Sequence, residues 1–198
     1  YREFNVKRQE YTPTKFTVEG DWSSGAYMLS AGALAGKVSV ANLHLESRQA
    51  DTAFFEILRE MGTEPIFHGK EVRVESTELK AIDWDLTDSP DLFPVVAALC
   101  SAAKGESSLR GIRRLRLKES DRIYSMVEGL SRMGVKTESS DETMTIHGGM
   151  PEGAVIDPHD DHRIAMAFGV IGLAVRGETT IKDAECVSKS YPDFWGDL

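Results

Sequence analysis

Four cationic side chains occur next to positions where the sequence predicts that helices begin. Lys118 and Arg122 flank one such position, Arg163 lies at a second, and Lys189 precedes a third. The N-terminus of a helix carries unpaired N–H groups and partial positive charge, so it attracts anions and disfavours cations. Lys118, Arg122 and Arg163 therefore indicate that these loops bind an anionic ligand. Arg can hold a carboxylate or a phosphate through two parallel hydrogen bonds, so these groups are the expected ligand chemistry.

A simpler interpretation applies to the other polar residues of these loops, namely that they begin helices. Ser, Thr, Asp and Asn side chains accept hydrogen bonds from the first turn of a helix, and Pro is common in that turn. We expect this structural role for Ser23, Ser89, Asp51, Asp121 and Asp193. A lone surface Lys or Arg is usually solvated and contributes little. Cations repeated at equivalent loops are not explained in this way, so the ligand-binding interpretation is kept for them.

These loops recur because the sequence contains a repeat of about 70 residues. Gly36, Gly105 and Gly177 lie in similar local sequences, and their separations are 105 − 36 = 69 and 177 − 105 = 72 residues. The segment LREMG at residues 58–62 returns 72 residues later as LSRMG at residues 130–134. Matches that share one period predict three similar structural units.

Each unit follows the order strand, helix, strand, helix and β-hairpin, which predicts an α/β (α+β) fold of βαβαββ-like units. In the first unit we expect a strand at residues 16–18, a helix at 23–35, a strand at 38–45, a helix at 51–61 and a hairpin at 65–75. In the later units we expect a hairpin at residues 136–147, a helix at 165–175 and a strand at 179–182.

Three such units are expected to pack around a pseudo-threefold axis, which would bring six helix N-termini to one end of the domain. The third unit differs from the first two, because the sequence reaches Leu198 before a closing hairpin. We therefore expect an unpaired sheet edge beside the strand at residues 179–182. Exposed edges of this kind pair readily with another chain segment.

Composition limits the classes of partner. The 198 residues are 41% apolar and 28% charged, as in an ordinary globular domain. The net charge of −9 argues against nucleic acid or an anionic membrane as the partner. Cys100 and Cys186 are isolated in sequence, and Cys100 lies in an apolar run, so we expect a buried, reduced thiol and a cytoplasmic location. Because the chain begins at Tyr1 with no signal-like segment, we expect it to be a piece of a longer protein.

The loop motifs resemble, in order, those of the 3-phosphoshikimate 1-carboxyvinyltransferases (EPSP synthases). They are EGDWSS at residues 19–24, PD at 90–91, LKESDR at 117–122, DHRIAM at 161–166 and KSYPD at 189–193. The motifs KESDR at residues 118–122 and DHR at 161–163 also separate the chain from UDP-N-acetylglucosamine enolpyruvyltransferase, which has a similar fold. The resemblance implies one lobe of a two-lobed fold at residues 15–198, with units at about 15–76, 79–149 and 153–198. Residues 1–14 would then be an inter-lobe linker or strand remnant.

The resemblance also implies a reaction. In this family the enolpyruvyl group of phosphoenolpyruvate is transferred to the 5-hydroxyl of shikimate 3-phosphate, on the route to chorismate and the aromatic amino acids, and phosphate is released. No metal, other cofactor or covalent enzyme intermediate takes part. The resemblance assigns Asp91 as the carboxylate that accepts the hydroxyl proton. It assigns Glu119 as the general acid and base at the methylene carbon of phosphoenolpyruvate.

The remaining assignments concern substrate binding. By resemblance, Lys118 contacts shikimate 3-phosphate, and Arg122, Arg163 and Lys189 hold the carboxylate and phosphate of phosphoenolpyruvate. Arg114 stands where part of the family has a substrate-contacting asparagine, so it receives no role. The family's active site lies between two lobes, and the N-terminal lobe of the same protein would supply further contacts. We therefore expect this chain alone to be inactive.

Two further interpretations of the residues and two of the function stay open. We expect His162 to position its loop through a hydrogen bond, since His is often structural. The acidic and histidine side chains within residues 157–162 have spacing that suggests a metal site, which the resemblance argues against. The chain could belong to an enolpyruvyltransferase that acts on a different alcohol. It could also be an anion-binding module without turnover.

Overall fold

The computed structural model describes residues 3–198, of which residues 3–20 contain no helix or strand. The first unit follows this segment. It consists of helix α1 (Trp22–Ala35), strand β1 (Lys37–Ala41), a 3₁₀ turn (Ala50–Ala53), helix α2 (Phe54–Glu60), and strands β2 (Ile66–His68) and β3 (Glu71–Glu75). The three strands form an antiparallel sheet in the order β1-β3-β2. The predicted hairpin is therefore confirmed, and Gly69 takes the positive φ of +65° in its turn.

The second unit is the most complete of the three. It contains β4 (Asp83–Asp85), a 3₁₀ turn (Pro90–Leu92), α3 (Phe93–Ala102), β5 (Gly105–Arg110), a 3₁₀ turn (Arg113–Leu117), α4 (Arg122–Arg132), β6 (Lys136–Ser139) and β7 (Thr143–Gly148). Its sheet has the order β4-β5-β7-β6, with β4 parallel to β5 and the other pairs antiparallel. This arrangement is the βαβαββ order that the repeat predicts.

The third unit is the shortest. It contains β8 (Val155–Ile156), α5 (His162–Gly172), β9 (Thr180–Ile181), a 3₁₀ turn (Ala184–Lys189) and α6 (Phe194–Asp197). Strands β8 and β9 pair in parallel. Within residues 3–198, β9 has no strand on its other side, as expected from the missing hairpin.

Helices α1, α3 and α5 form the centre of the domain and contact one another. Every residue of α3 from Phe93 to Ser101 is buried, because this helix is apolar on all sides and is covered by its neighbours. Helix α4 is instead amphipathic, with Ile123, Met126 and Leu130 buried on one face. The buried side chains of all three units form one core. No helix within residues 3–198 is both long enough and apolar enough to cross a bilayer.

The strand predicted at residues 16–18 is not formed. Its equivalents β4 and β8 pair in parallel with β5 and β9, but residues 16–18 make no ladder with β1. The end of this segment is held by hydrogen bonds to Asn42. The Gly20 N–H donates to the Asn42 carbonyl at 2.7 Å, and Asn42 Nδ2 donates to the Val18 carbonyl. The Phe16 and Val18 side chains are exposed, so no apolar burial stabilises a strand there.

A close contact between α4 and α5 depends on a glycine. A Cβ atom added at Gly129 would lie 2.2 Å from Cζ of Phe168, whose ring is fully buried. We expect Gly129→Ala to lower the free energy of unfolding by about 1–3 kcal/mol, since overpacking outweighs the gain in helix propensity. Urea denaturation measures this. Gly196→Ala in α6 is the matched control, because no atom lies within 4 Å of its added Cβ. Equal stability of the two variants would contradict the contact.

Candidate functional site

Charged side chains from the starts of α3, α4 and α5 meet at one end of the domain. Asp91 lies in the 3₁₀ turn before α3, Arg122 is the first residue of α4, and Arg163 is in the first turn of α5. Arg122 Nη1 donates to Asp91 Oδ1 at 2.8 Å, and Arg163 Nη2 lies 3.4 Å from Asp91 Oδ2. The loops before α3, α4 and α5, three of the six that the repeat predicts to converge, are therefore together in the structure.

Arg122 is the centre of this cluster. Its side chain is 1% exposed and is surrounded by three carboxylates. Nε donates to Asp161 Oδ2 at 2.8 Å, Nη1 donates to Asp91 Oδ1 at 2.8 Å, and Nη2 donates to Glu119 Oε2 at 2.8 Å. A buried guanidinium requires such partners, because an unpaired buried charge is strongly destabilising.

Asp91 contacts three of the four cations that the sequence predicts as ligand contacts. In addition to the two arginines, Lys118 Nζ donates to Asp91 Oδ1 at 3.1 Å. Partial burial alone would raise the pKa of Asp91, but Arg163, Lys118 and Arg122 together hold it below the usual range of an aspartate. Asp91 is therefore ionised at neutral pH and can accept a proton.

Glu119 lies between Arg122 and the most exposed cation of the cluster. Lys189 Nζ is 3.6 Å from Glu119 Oε1, and the Lys189 side chain is 60% exposed. Burial raises the pKa of Glu119, whereas its own backbone N–H and the charges of Arg122 and Lys189 lower it, and the net shift is downward. Glu119 is thus a carboxylate at neutral pH.

Asp161 holds this cluster in place, and the sequence did not indicate that role. The side chain is completely buried, caps α5 by accepting from the Arg163 N–H at 2.9 Å, and also accepts from Ser120 Oγ. Burial would raise the pKa of Asp161, but the hydrogen bond and charge of Arg122 lower it overall. Its position two residues before Arg163, in a loop predicted to begin a helix, was the available signal for a capping role.

The predicted caps are confirmed in part. Asp121 caps α4 by accepting from the Tyr124 N–H, but Asp21 rather than Ser23 caps α1. Ser23 Oγ instead donates to the buried carboxylate of Asp51, an interaction that joins α1 to the 3₁₀ turn before α2. Burial raises the pKa of Asp51. In the first unit, the Ser23 hydroxyl therefore links α1 to the start of the second helix, where the sequence predicted simple capping.

Ser89 and Asp193 occupy the N-cap positions of their short helices, but their side chains make no capping hydrogen bond.

The expectation that the four cations lie at helix N-termini holds for Arg122 and Arg163 but not for Lys118 and Lys189. Lys118 immediately follows the 3₁₀ turn Arg113–Leu117, and Lys189 ends the 3₁₀ turn Ala184–Lys189. Both lysines therefore lie at the C-terminal ends of short 3₁₀ helices, where positive charge is favourable.

Three other residues of interest lie around the cluster. The ring of His162 makes no hydrogen bond within residues 3–198, and its buried Nδ1 has no partner, so the predicted positioning hydrogen bond is not found. Arg114 Nη2 donates to the Thr87 carbonyl. The hydroxyl of Tyr27, which the sequence did not single out, donates to the Arg163 carbonyl at 3.3 Å. Burial raises the pKa of this Tyr27 hydroxyl.

The cluster has an excess of positive charge. Four cations, Lys118, Arg122, Arg163 and Lys189, face the three carboxylates Asp91, Glu119 and Asp161. No group of three or more His, Cys, Asp or Glu side chains in the described part of the chain has an arrangement that could hold a metal ion. Phosphate or carboxylate oxygens can take the place of the internal carboxylates as hydrogen-bond acceptors, so the arrangement is suited to anionic ligands.

The fold is the one found in enolpyruvyl transferases. The structure superposes on the enolpyruvyl transferase NikO from Streptomyces tendae with a TM-score of 0.71, covering 92% of this chain and 43% of NikO. At 19% identity this similarity shows the fold alone. An EPSP synthase from Acinetobacter baumannii superposes with a TM-score of 0.81 at 30% identity, covering 91% of this chain and 45% of that one.

The family is defined by sequence similarity along the whole chain. The family model for EPSP synthase (3-phosphoshikimate 1-carboxyvinyltransferase) matches residues 1–198. A relative of that name from Dehalococcoides mccartyi (strain 195) is 48% identical over 198 residues, which are 100% of this chain and 47% of the relative. One from Thermococcus kodakarensis is 46% identical over 186 residues, 93% of this chain and 46% of the relative. The chain belongs to the EPSP synthase family, and it spans about half the length of the curated relatives it matches.

Proposed function

We propose that this chain forms the C-terminal half of an enzyme that transfers the enolpyruvyl group of phosphoenolpyruvate to the 5-hydroxyl of shikimate 3-phosphate and releases phosphate. The observation that carries the proposal is the convergence of Asp91 and Glu119 on the predicted ligand-binding cations. Such a reaction needs a base at the hydroxyl, an acid at carbon and cations around two anionic substrates. The cluster holds all three kinds of group.

Asp91 is the proposed base for the 5-hydroxyl. Its lowered pKa keeps it ionised, and Lys118 and Arg163 fix the directions of its two carboxylate oxygens. Lys118 is exposed enough to reach a phosphate of shikimate 3-phosphate while it still lies beside Asp91. The base and the substrate's phosphate would then be positioned by one side chain.

Glu119 is the proposed acid and base at the methylene carbon, and its protonation depends on its neighbours. In the free cluster Arg122 and Lys189 favour the carboxylate form. The carboxylate and phosphate of phosphoenolpyruvate would draw Arg122, Arg163 and Lys189 toward themselves and add negative charge nearby. Both changes favour the protonated form of Glu119, which is the form that can donate a proton to carbon.

The domain organisation is part of the same proposal. Residues 15–198 would be one lobe with units at about 15–76, 79–149 and 153–198, and residues 1–14 would lead to an N-terminal lobe that completes the site. We place the enzyme in the cytoplasm, which is supported by the free thiols of Cys100 and Cys186. We assign no cofactor to the reaction, because charge and proton transfer by these side chains account for it.

The first test is ligand binding. We expect phosphoenolpyruvate to bind weakly and to shift the amide NMR signals of Arg122, Arg163 and Lys189, since these cations are present without a second lobe. Lys189→Gln should weaken binding by about fivefold, the value of one exposed ion pair. Lys136→Gln, which removes an exposed cation on strand β6, is the control. Shifts that avoid the cluster, or none at millimolar ligand, would count against the site.

A second test concerns the protonation of Glu119. We expect its pKa to rise when phosphoenolpyruvate binds, because the ligand brings negative charge and competes for Arg122 and Lys189. The carboxyl ¹³C shift of Glu119, followed against pH with and without ligand, measures this change. Glu138, which pairs with Lys136 on strand β6, is an internal reference whose pKa should not move. An unchanged or lower pKa of Glu119 would contradict its role as a proton donor.

A further inference from the structure

A cavity of about 470 Å³ lies at the end of the domain opposite to the charged cluster. It is lined by Leu34 in the last turn of α1, Ala102 at the end of α3 and Ala174 just after α5. The first turns of the same helices face the cluster, so the two places are about 15–20 Å apart, from the rise of 1.5 Å per residue. The volume falls in the range of small-molecule sites.

Part of the cavity wall is apolar. Leu34, Leu79 and Pro151 contribute to it, and Met150 lies beside them with 81% of its side chain exposed. Methionine is unbranched and polarizable, so it adapts readily to the shape of an apolar ligand. This wall is suited to a branched aliphatic or aromatic group of a few carbon atoms.

The charges at the rim differ between two equivalent units. Lys104 and Arg176 each precede the glycine that follows a central helix. In the second unit, Lys104 Nζ forms an ion pair with Glu78. Glu78 lies two residues before Lys80, the bridge partner of Lys104. In the third unit the equivalent position, two residues before Glu152, the bridge partner of Arg176, is Met150. Within residues 3–198, the Arg176 side chain consequently has no ion-pair partner.

An acidic side chain without a partner lies beside this arginine. Glu152 lies opposite Arg176 in an isolated parallel bridge of the backbone, both residues are exposed, and within residues 3–198 neither side chain forms an ion pair. The C-terminal ends of α1, α3 and α5 also direct partial negative charge toward the cavity, which favours a cationic group there. The rim thus offers one site for an anion, at Arg176, and one for a cation, at Glu152.

We infer that this cavity binds a free α-amino acid with an apolar side chain. The ligand's carboxylate pairs with Arg176, its ammonium group pairs with Glu152, and its side chain packs against Leu34, Leu79 and Met150. The inference does not depend on the proposed reaction, because it uses none of the residues of the charged cluster.

L-Leucine is the probe for this site, with amide NMR shifts as the readout. We expect saturable shifts at Leu34, Leu79 and Ala174 at millimolar L-leucine. Arg176→Gln and Glu152→Gln should each weaken binding by about tenfold, since each removes one charge-assisted hydrogen bond. Arg59→Gln, which removes an exposed arginine on α2, should leave binding unchanged. Unchanged binding in Arg176→Gln or Glu152→Gln, or no shifts at these residues, would overturn the inference.

Two analogues separate recognition of the head group from simple apolar contact. 4-Methylpentanoate lacks the ammonium group of leucine, and 3-methylbutylamine lacks the carboxylate. We expect both to bind the unmodified protein about tenfold more weakly than L-leucine, and Glu152→Gln to leave binding of 4-methylpentanoate unchanged. Equal binding of all three compounds would show an unspecific apolar cavity and would also overturn the inference.

Discussion

Replacing Asp91, the proposed base, with asparagine is expected to lower kcat of the proposed enzyme by about 10²–10⁴, because a general base contributes that much. Asparagine keeps the shape of the side chain and can still accept hydrogen bonds from Lys118 and Arg122. It cannot take the proton of the 5-hydroxyl. Phosphate release from phosphoenolpyruvate in the presence of shikimate 3-phosphate, with both lobes present, measures the loss.

The division between kcat and KM distinguishes a base from a structural residue. Loss of a base acts on the chemical step, so kcat should fall while the KM values change little. Asp83→Asn is the matched control, since Asp83 also pairs with an arginine, Arg110, but lies on an exposed strand away from the cluster. If Asp91→Asn kept kcat within about threefold of the unmodified enzyme, Asp91 would not be the base.

Replacing Arg122 with methionine is expected to lower the free energy of unfolding by about 3–5 kcal/mol, because it leaves Asp161 charged and fully buried without its main partner. Lysine at this position should recover little, since a point charge cannot donate in a fork to Asp91, Glu119 and Asp161 together. Urea denaturation measures the change. The double variant Arg122→Met, Asp161→Asn should regain part of the stability, because the buried charge is removed.

The contribution of Asp161 to the pH dependence of stability should change sign in the single variant Arg122→Met. In the unmodified protein the pKa of Asp161 is lowered, so its ion pair stabilises the fold above the unfolded pKa of about 3.9 and is lost as the pH falls through the folded value. Without Arg122, burial should raise the pKa of Asp161. This group would then bind more protons in the folded state, and its contribution to stability would increase as the pH falls. Parallel pH profiles for the two proteins would refute the coupling between Arg122 and Asp161.

The three-unit fold could be predicted from the sequence because each unit has its own local signals. Glycines at the end of helices, alternating strands and the hairpin at Gly69 repeat with a fixed period. The strand expected at residues 16–18 is not formed, and the reason lies in contacts with other parts of the chain rather than in the segment itself. Alternation shows that a segment can form a strand, but pairing and burial decide whether it does, and Phe16 and Val18 have neither.

The sequence indicated most of the residues that form the charged cluster, but not which of them contact one another. Sequence motifs indicated Asp91, Glu119 and the four cations, and the repeat indicated that their loops share one end. The central position of Arg122 and the role of Asp161 depend on which helix starts touch, and no local pattern specifies that. The same limit explains Ser23, whose partner Asp51 is 28 residues away.

The four-stranded sheet of the second unit has a consequence for how the chain folds. β4, β5, β6 and β7 close their sheet within about seventy consecutive residues, whereas within residues 3–198 β9 pairs with β8 alone. Contacts that are short in sequence cost little loop-closure entropy and form early. Among the sheets that close locally, that of the second unit has the most strands, and its helix α3 is apolar and buried, so we expect this unit to be the folding nucleus. We expect α1 and α5 to dock onto it and onto each other, and the third unit, which has the smallest sheet within residues 3–198, to open first when the native protein fluctuates.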